Sequence, residues 1–148
     1  MWLAGYGVRL TAEELRYIAL FETLTGATAK DCVIDPEDGR LIFVIKQGNL
    51  GMAIGRRGAN IKKVRSVLGR NVEVVEYADS PAAFIQNSLA PARVKSVHIT
   101  EKKDGKKIAI VSVDPRDKGL AIGKNGRTIA RARLLAKRHF GIEDVIVS

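Results

Sequence analysis

The stretch GMAIGRRGANIKKVR, residues 51–65, decides how this chain is organised. A near copy, GLAIGKNGRTIARAR, lies 68 residues further on at residues 119–133. Seven of the fifteen aligned positions are identical, including both glycines of the segments GRRG and GKNG. In each copy an Asp-Gly pair and an apolar run come before this stretch. Self-similarity at a fixed spacing indicates a duplicated structural unit. The sequence therefore predicts an N-terminal tail of residues 1–10 and two related domains, residues 11–78 and 79–148.

Both copies predict the element order α-β-β-α-α-β. In the first copy, Thr11 and Glu14 form a T-x-x-E capping box that opens a helix, and Gly26 suits its C-terminal end. In the second copy, Ser80 and Pro81 open the equivalent helix. Apolar runs bounded by turn residues predict strands at 30–35, 41–45, 72–77, 94–100, 107–113 and 142–147. The strand at 41–45 is apolar on both faces and should be central.

Two short helical segments flank each glycine motif in this prediction. They cover residues 51–54 and 59–68 in the first copy, and 119–122 and 127–139 in the second. The expected fold class is α+β, with a three-stranded sheet in each domain and helices packed on one face.

Composition limits the possible functions of the chain. The 148 residues are 46% hydrophobic and 28% charged, which is typical of a folded protein. One cysteine and two histidines leave no basis for a disulfide or a metal centre. The N-terminus lacks a signal peptide and no apolar run approaches the roughly 20 residues of a membrane span. We therefore expect a cytoplasmic protein.

The positive charge is concentrated around the two glycine motifs. The net charge is +9 over the whole chain. Residues 46–70 hold seven basic and no acidic residues, and residues 116–138 hold eight basic residues and one acid. The remainder of the chain carries a net charge of −5. A basic excess at equivalent places in both copies points to a polyanionic partner.

A G-x-x-G segment between two helices is suited to binding a phosphate backbone. Its glycines turn sharply and keep no Cβ between the chain and a ligand. The helix that follows directs its N-terminal amides toward the segment, which favours an anion. Ile54 and Ile61, like Ile122 and Ile129, could line an aliphatic groove for unpaired bases. No aromatic residue lies at 44–76 or 85–139 for base stacking. The residues therefore predict binding of a single strand.

The residues give no support for an enzyme. The segment around Lys124 fails the P-loop pattern, because residue 118 is lysine and residue 125 is asparagine. No arrangement of Ser, Cys, His and carboxylates suggests nucleophilic catalysis. We expect no catalytic residue, no metal and no cofactor.

The element order with AIGRRG and AIGKNG resembles a tandem pair of type II KH domains, whose GXXG loop clamps about four nucleotides. From about Val8 onward, the chain resembles the short archaeal NusA-like transcription factors. The matching stretches are LTAEELRYIALFETLTGA, KDCVI, GMAIGRRGANIKKV, SPAAFIQNSLAPARVKSV and GLAIGKNGRTIARARLLAKRHFGI. The residues expected to bind RNA are Ile54, Gly55, Arg56, Arg57, Gly58, Ile61, Lys62 and Arg65 in the first copy, and Ile122, Gly123, Lys124, Asn125, Gly126, Arg127, Ile129 and Arg131 in the second.

The resemblance implies a single-stranded RNA-binding protein that acts in transcription termination or antitermination, with RNA polymerase or other transcription factors as further partners. Bacterial NusA also carries an N-terminal polymerase-binding domain and an S1 domain, for which 148 residues leave no room. RNA binding is the part that we expect to carry over. The alternative is a KH-type scaffold or assembly factor on a ribonucleoprotein particle such as the ribosome. Weak binding to free RNA with tight binding to a protein partner would favour that alternative.

Overall fold

A computed structural model describes residues 8–148, which divide into two compact units at the junction of Tyr77 and Ala78. Most of the expected N-terminal tail, residues 1–7, lies outside the described residues. Val8 and Leu10 are buried and belong to the first unit, so these residues do not form a tail.

The first unit has the predicted element order. Its elements are α1 (Ala12–Thr25), β1 (Ala29–Ile34), β2 (Leu41–Ile45), α2 (Leu50–Ile54), α3 (Ala59–Leu68) and β3 (Val72–Glu76). The sheet order is β1-β2-β3, with β1 antiparallel and β3 parallel to β2. All five residues of β2 are buried, which confirms the prediction of a central strand.

Local signals in the sequence explain where α1 begins and ends. The Glu14 amide donates to Thr11 Oγ1 at 3.1 Å, and the Thr11 amide donates to Glu14 Oε1 at 2.8 Å, which completes the capping box. Gly26 ends the helix in the left-handed region at φ 76°. Between these ends, Phe21 stacks on Phe43 of β2 with ring centroids 4.3 Å apart. The helix is thereby fixed on one face of the sheet.

The second unit repeats this architecture. Its elements are α4 (Pro81–Ser88), β4 (Val94–Glu101), β5 (Lys107–Val113), α5 (Lys118–Ile122), α6 (Arg127–Phe140) and β6 (Ile142–Val147). The sheet order is β4-β5-β6, again with one antiparallel and one parallel pair. Its core joins Ile85 of α4 and Leu89, directly after α4, to Val111 of β5 and to Ile129 and Ala132 of α6.

A buried arginine links the sheet of the first unit to the turn after β1. Arg40 is 2% exposed, and its Nε lies 3.1 Å from Asp35 Oδ2 while its Nη1 lies 3.0 Å from Glu73 Oε1. Burial alone would lower the pKa of Arg40. The charge and hydrogen bonds of Glu73, then the hydrogen bond to Asp35 and the charge of Asp38, outweigh burial and raise the pKa. The guanidinium is therefore held charged between β2 and β3.

Candidate nucleic-acid interface

The first glycine motif forms a tight loop between α2 and α3. Gly55 follows α2 with φ 76° and ψ 171°, and a single 3-10 turn covers Arg56–Gly58. Within this turn Arg57 has φ 56° and ψ 27°, which is the left-handed region. Gly58 has φ 75° and ψ 16° and forms the N-terminal end of α3. Two backbone hydrogen bonds close the loop, from Gly55 to Gly51 at 2.8 Å and from Gly58 to Gly55 at 3.1 Å.

The second motif has the same backbone. Gly123 has φ 80° and ψ 167°, Asn125 has φ 58° and ψ 26°, and Gly126 has φ 71° and ψ 16°. The corresponding hydrogen bonds join Gly123 to Gly119 at 2.8 Å and Gly126 to Gly123 at 3.0 Å. The duplication found in the sequence is thus also a duplication of loop geometry.

The two glycines of each loop serve different purposes. A Cβ on Gly55 would lie 2.8 Å from the Asn60 amide nitrogen, and one on Gly123 would lie 2.8 Å from the Thr128 amide nitrogen. The first glycine therefore lets α3 or α6 approach closely. A Cβ on Gly58 would meet nothing nearer than 3.7 Å, and one on Gly126 would meet nothing within 4 Å. The space beside the second glycine is open to a ligand.

Each loop leads directly into a helix whose N-terminus has no side-chain cap. Glycine occupies the N-cap of both α3 and α6, no side chain caps either helix, and neither has an acidic residue in its first turn. The first amide of each helix, that of Ala59 or Arg127, donates to the Arg56 or Lys124 carbonyl in the preceding turn. The amides that follow have no side-chain acceptor, and the helix dipole favours a negative one. A phosphate group satisfies both conditions.

Cationic side chains surround these helix ends. Arg56, Arg57 and Lys62 are exposed at the first loop, and Lys124 and Arg127 are exposed at the second. Within residues 8–148, no carboxylate forms an ion pair with Arg56, Arg57, Lys62 or Lys124. The positive charge of these four residues is therefore available to an external anion.

The apolar surface beside the loops differs from the predicted one. Ile54 and Ile122 are 36% and 41% exposed, as a groove requires. Ile61 and Ile129 are only 9% and 6% exposed and belong to the two hydrophobic cores. The exposed partners of Ile54 and Ile122 are instead Met52 and Leu120 on the same short helices. Helical spacing could have shown this, because Ile61 lies three residues before Val64, also a core residue.

Two arginines predicted to bind RNA make bonds within their own unit. Arg65 donates from Nε and Nη2 to the Val72 carbonyl at 3.1 and 2.9 Å, which holds α3 to the start of β3. Arg131 donates to the Ser88 carbonyl at 2.9 Å and the Ala90 carbonyl at 2.8 Å. Both guanidinium groups therefore brace contacts within their own unit. A carbonyl partner has no sequence signature, so these bonds could not be anticipated.

Further contacts position the approach to each loop. In the first unit, the Thr28 amide donates to Asn49 Oδ1 at 2.9 Å, directly before α2. In the second unit, Asp117 precedes α5, and its Oδ2 accepts from the Arg93 amide at 2.8 Å and from Arg93 Nε at 3.0 Å. These bonds from Arg93 hold the pKa of Asp117 below its ordinary value. The sequence alone predicted no role for Asn49, Arg93 or Asp117.

Neither a metal centre nor a membrane span emerges from the part of the chain that the structure describes. No group of three His, Cys, Asp or Glu side chains in residues 8–148 could hold a metal ion. None of the helices there is both long enough and apolar enough to cross a bilayer.

Comparison with known proteins agrees with this architecture. The model of the KH domain family matches residues 15–79, and the model of the NusA-like second KH domain matches residues 81–146. A solved structure described as "Crystal structure of APE1850" is 42% identical, with a TM-score of 0.85, and the match covers 94% of this chain and all of that one.

Curated relatives match over nearly the same length. A Halococcus morrhuae protein named "Probable transcription termination protein NusA" is 44% identical over 138 residues, which is 93% of this chain and 96% of that protein. A Methanocaldococcus jannaschii protein of the same name is 35% identical over 141 residues, or 95% of this chain and 75% of that one.

The two units, each with a three-stranded sheet and a GXXG loop between short helices, define a tandem KH-domain protein. Within that class, the extent of the match to the archaeal relatives settles the family. The chain belongs to the archaeal NusA-like proteins.

Proposed function

We propose that this protein binds single-stranded RNA as a factor in transcription termination or antitermination, and that its two GXXG loops clamp one strand. The names of the archaeal relatives support the role in termination. RNA polymerase or other transcription factors are the expected protein partners in that role. No catalytic step is part of the proposal.

The phosphates would meet the loops at their second glycines. Gly58 and Gly126 leave open space directly at the uncapped N-termini of α3 and α6. This combination, present twice with one backbone geometry, is the observation that carries the proposal. Arg56, Arg57 and Lys124 add charge that no carboxylate within residues 8–148 neutralises.

The bases would lie on the short helix that precedes each loop. Met52 and Ile54 are exposed on α2, and Leu120 and Ile122 are exposed on α5. An aliphatic surface contacts any base and makes few hydrogen bonds to it, so base preference should be modest. If each loop takes about four nucleotides, the two loops together hold about eight.

The test is a fluorescence anisotropy titration of a labelled 12-nucleotide single-stranded RNA at two salt concentrations. It compares the wild-type protein with Gly58→Asp, Gly126→Asp and the double variant. Aspartate tolerates the left-handed backbone at both positions and places a negative charge where a phosphate would lie. Each single variant should weaken binding, the double variant should abolish it, and added salt should weaken wild-type binding strongly.

Gly58→Asn and Gly126→Asn are the matched controls, since asparagine has the same size and backbone tolerance without the charge. Circular dichroism should show that all variants are folded. Equal RNA binding by all proteins, or binding by none of them, would contradict the clamp for free RNA. Either result would favour the scaffold on a ribonucleoprotein particle.

A further inference from the structure

The outward face of the second sheet carries an apolar patch that the RNA-binding proposal does not use. On β5, Ala109, Val111 and Val113 are buried, so the alternating residues Ile108 and Ile110 point away from that core. The strand register places Ile110 beside Ile146 of β6 and beside His98 of β4. Ile110 and Ile146 are 40% and 42% exposed. Two isoleucines on neighbouring strands therefore form one exposed patch.

The first unit shows that the same face of this fold can be buried. The Asp-Gly pairs before the central strands align Ile42 with Ile108 and Val44 with Ile110. Ile42 and Val44 are fully buried, whereas Ile110 is exposed. A sheet face that stays in contact with water usually has polar residues at such positions. Exposed isoleucines at these positions indicate a face that is covered when the protein is in its working complex.

The edge strand beside this patch is also open. None of the eight residues of β4 is buried, whereas four of the six residues of β1 are. Because β4 lies at the edge of its sheet, one side of its backbone is unpaired by that sheet.

The charge around the patch selects the kind of partner. The turn between β4 and β5, taken with the strand residue on either side of it (residues 101–107), holds four lysines against two acidic residues, and all seven residues are exposed. Asp144, in register with Ile108, is paired with Arg133 at 3.0 Å and does not offset these lysines. The patch is thus an apolar centre with a basic border. A surface with an apolar centre and an acidic border complements it.

Two other occupants fit this surface less well. RNA that is read on a sheet face stacks two or three bases on aromatic side chains, whereas β4, β5 and β6 contain no Phe, Tyr or Trp and offer only the ring of His98. A second copy of the chain would present a face with the same basic turn, so the charges of the two faces would not complement each other.

We propose that the outward face of β4, β5 and β6, together with the lysine-bearing turn at residues 101–107, is a docking surface for an acidic, partly apolar segment of a protein partner. This surface is separate from the glycine loops. RNA binding and protein binding would therefore be independent activities of the second unit.

The test uses the full chain labelled with ¹⁵N and a synthetic nine-residue peptide of alternating glutamate and isoleucine. Amide chemical-shift changes should be confined to the three strands and the turn at residues 101–107. The variant Ile110→Thr/Ile146→Thr keeps β-branched residues in both strands, and it should bind the peptide at least about tenfold more weakly because apolar burial is lost. Lys102→Glu/Lys103→Glu should also weaken peptide binding, and both variants should bind the 12-nucleotide RNA like the wild-type protein.

A peptide that alternates glutamate with serine is the control for charge alone, and one that alternates lysine with isoleucine is the control for apolar contact alone. Neither should bind as the glutamate–isoleucine peptide does. The proposal is overturned if that peptide causes no shifts at millimolar concentration, or shifts only the glycine loops. It is also overturned if the 12-nucleotide RNA occupies the sheet face, or if sedimentation shows a dimer that Ile110→Thr/Ile146→Thr dissociates.

Discussion

Replacing Arg57 with asparagine should make the protein more stable and a weaker RNA binder at the same time. Arg57 lies at φ 56° and ψ 27°, where an L-residue other than glycine is strained by about 1–2 kcal/mol. Asn125 occupies the same place in the second loop at φ 58° and ψ 26°, and asparagine is one of the few residues that adopt this conformation readily. Arg57→Asn should therefore raise the free energy of unfolding by about 0.5–1 kcal/mol.

The same substitution removes one cation from the proposed phosphate site. A hydrogen bond to a charged group contributes about 1.5 kcal/mol or more, which corresponds to roughly tenfold in affinity. Losing one phosphate contact should also reduce the slope of log K against log salt concentration by about 0.7. Arg16→Gln removes an exposed charge on α1 and serves as the control, with RNA affinity unchanged.

Thermal unfolding followed by circular dichroism and anisotropy titrations at several salt concentrations measure the two effects. A chain of this size should gain about 2–4 °C in melting temperature per kcal/mol. The reciprocal variant, Asn125→Arg, should lose stability and gain affinity. The reasoning is refuted if Arg57→Asn binds RNA with wild-type affinity and salt slope, or if it melts below the wild-type protein.

Three further predictions concern the scaffold around the loops. Gly123→Ala should destabilise the protein at least about 1 kcal/mol more than Gly126→Ala in urea unfolding. Both glycines have positive φ, but only at Gly123 would the new Cβ lie 2.8 Å from a backbone atom. Equal losses of stability would contradict the different roles of the two glycines. Arg40→Met should cost about 3 kcal/mol in the same assay, since it leaves the buried Asp35 and the partly buried Glu73 without their cation. A loss below about 1 kcal/mol would contradict this. Hydrogen bonds to a neighbouring guanidinium lower the pKa of Asp117, so its stabilising effect is full above about pH 4 and is lost as the pH falls through the folded-state pKa. Asp117→Asn should therefore melt lower than the wild-type protein at pH 6, with the difference shrinking toward pH 2, and a constant difference would contradict this.

The sequence predicted those parts of the fold that are encoded locally. Two local signals predicted where helices begin. The capping box of Thr11 and Glu14 marks the start of α1 at Ala12, and Ser80 with the following proline marks the start of α4 at Pro81. Apolar runs bounded by turn residues located the strands, and the run at 41–45 identified the central one. The repeat supported these predictions, because each signal in one copy could be compared with the equivalent residues of the other copy.

The parts that were missed depend on contacts between distant residues. Arg65 and Arg131 have the composition of ligand-binding residues, yet carbonyl groups 7 and 43 residues away accept their hydrogen bonds. The pair of Arg93 with Asp117 joins residues 24 positions apart. A sequence shows which residues are charged, but only the folded structure shows which groups accept their hydrogen bonds.

In the two loops, different residues determine the backbone geometry and the charge offered to RNA. Their backbones agree although both inner residues differ, Arg56-Arg57 in one loop and Lys124-Asn125 in the other. The first glycine of each loop, with its close approach to the next helix, fixes the backbone whatever the inner side chains are. The inner side chains can then change charge without changing the fold. Since the first loop accepts the strain of Arg57 where asparagine would fit more easily, we expect that loop to contribute more of the salt-dependent affinity for RNA than the second.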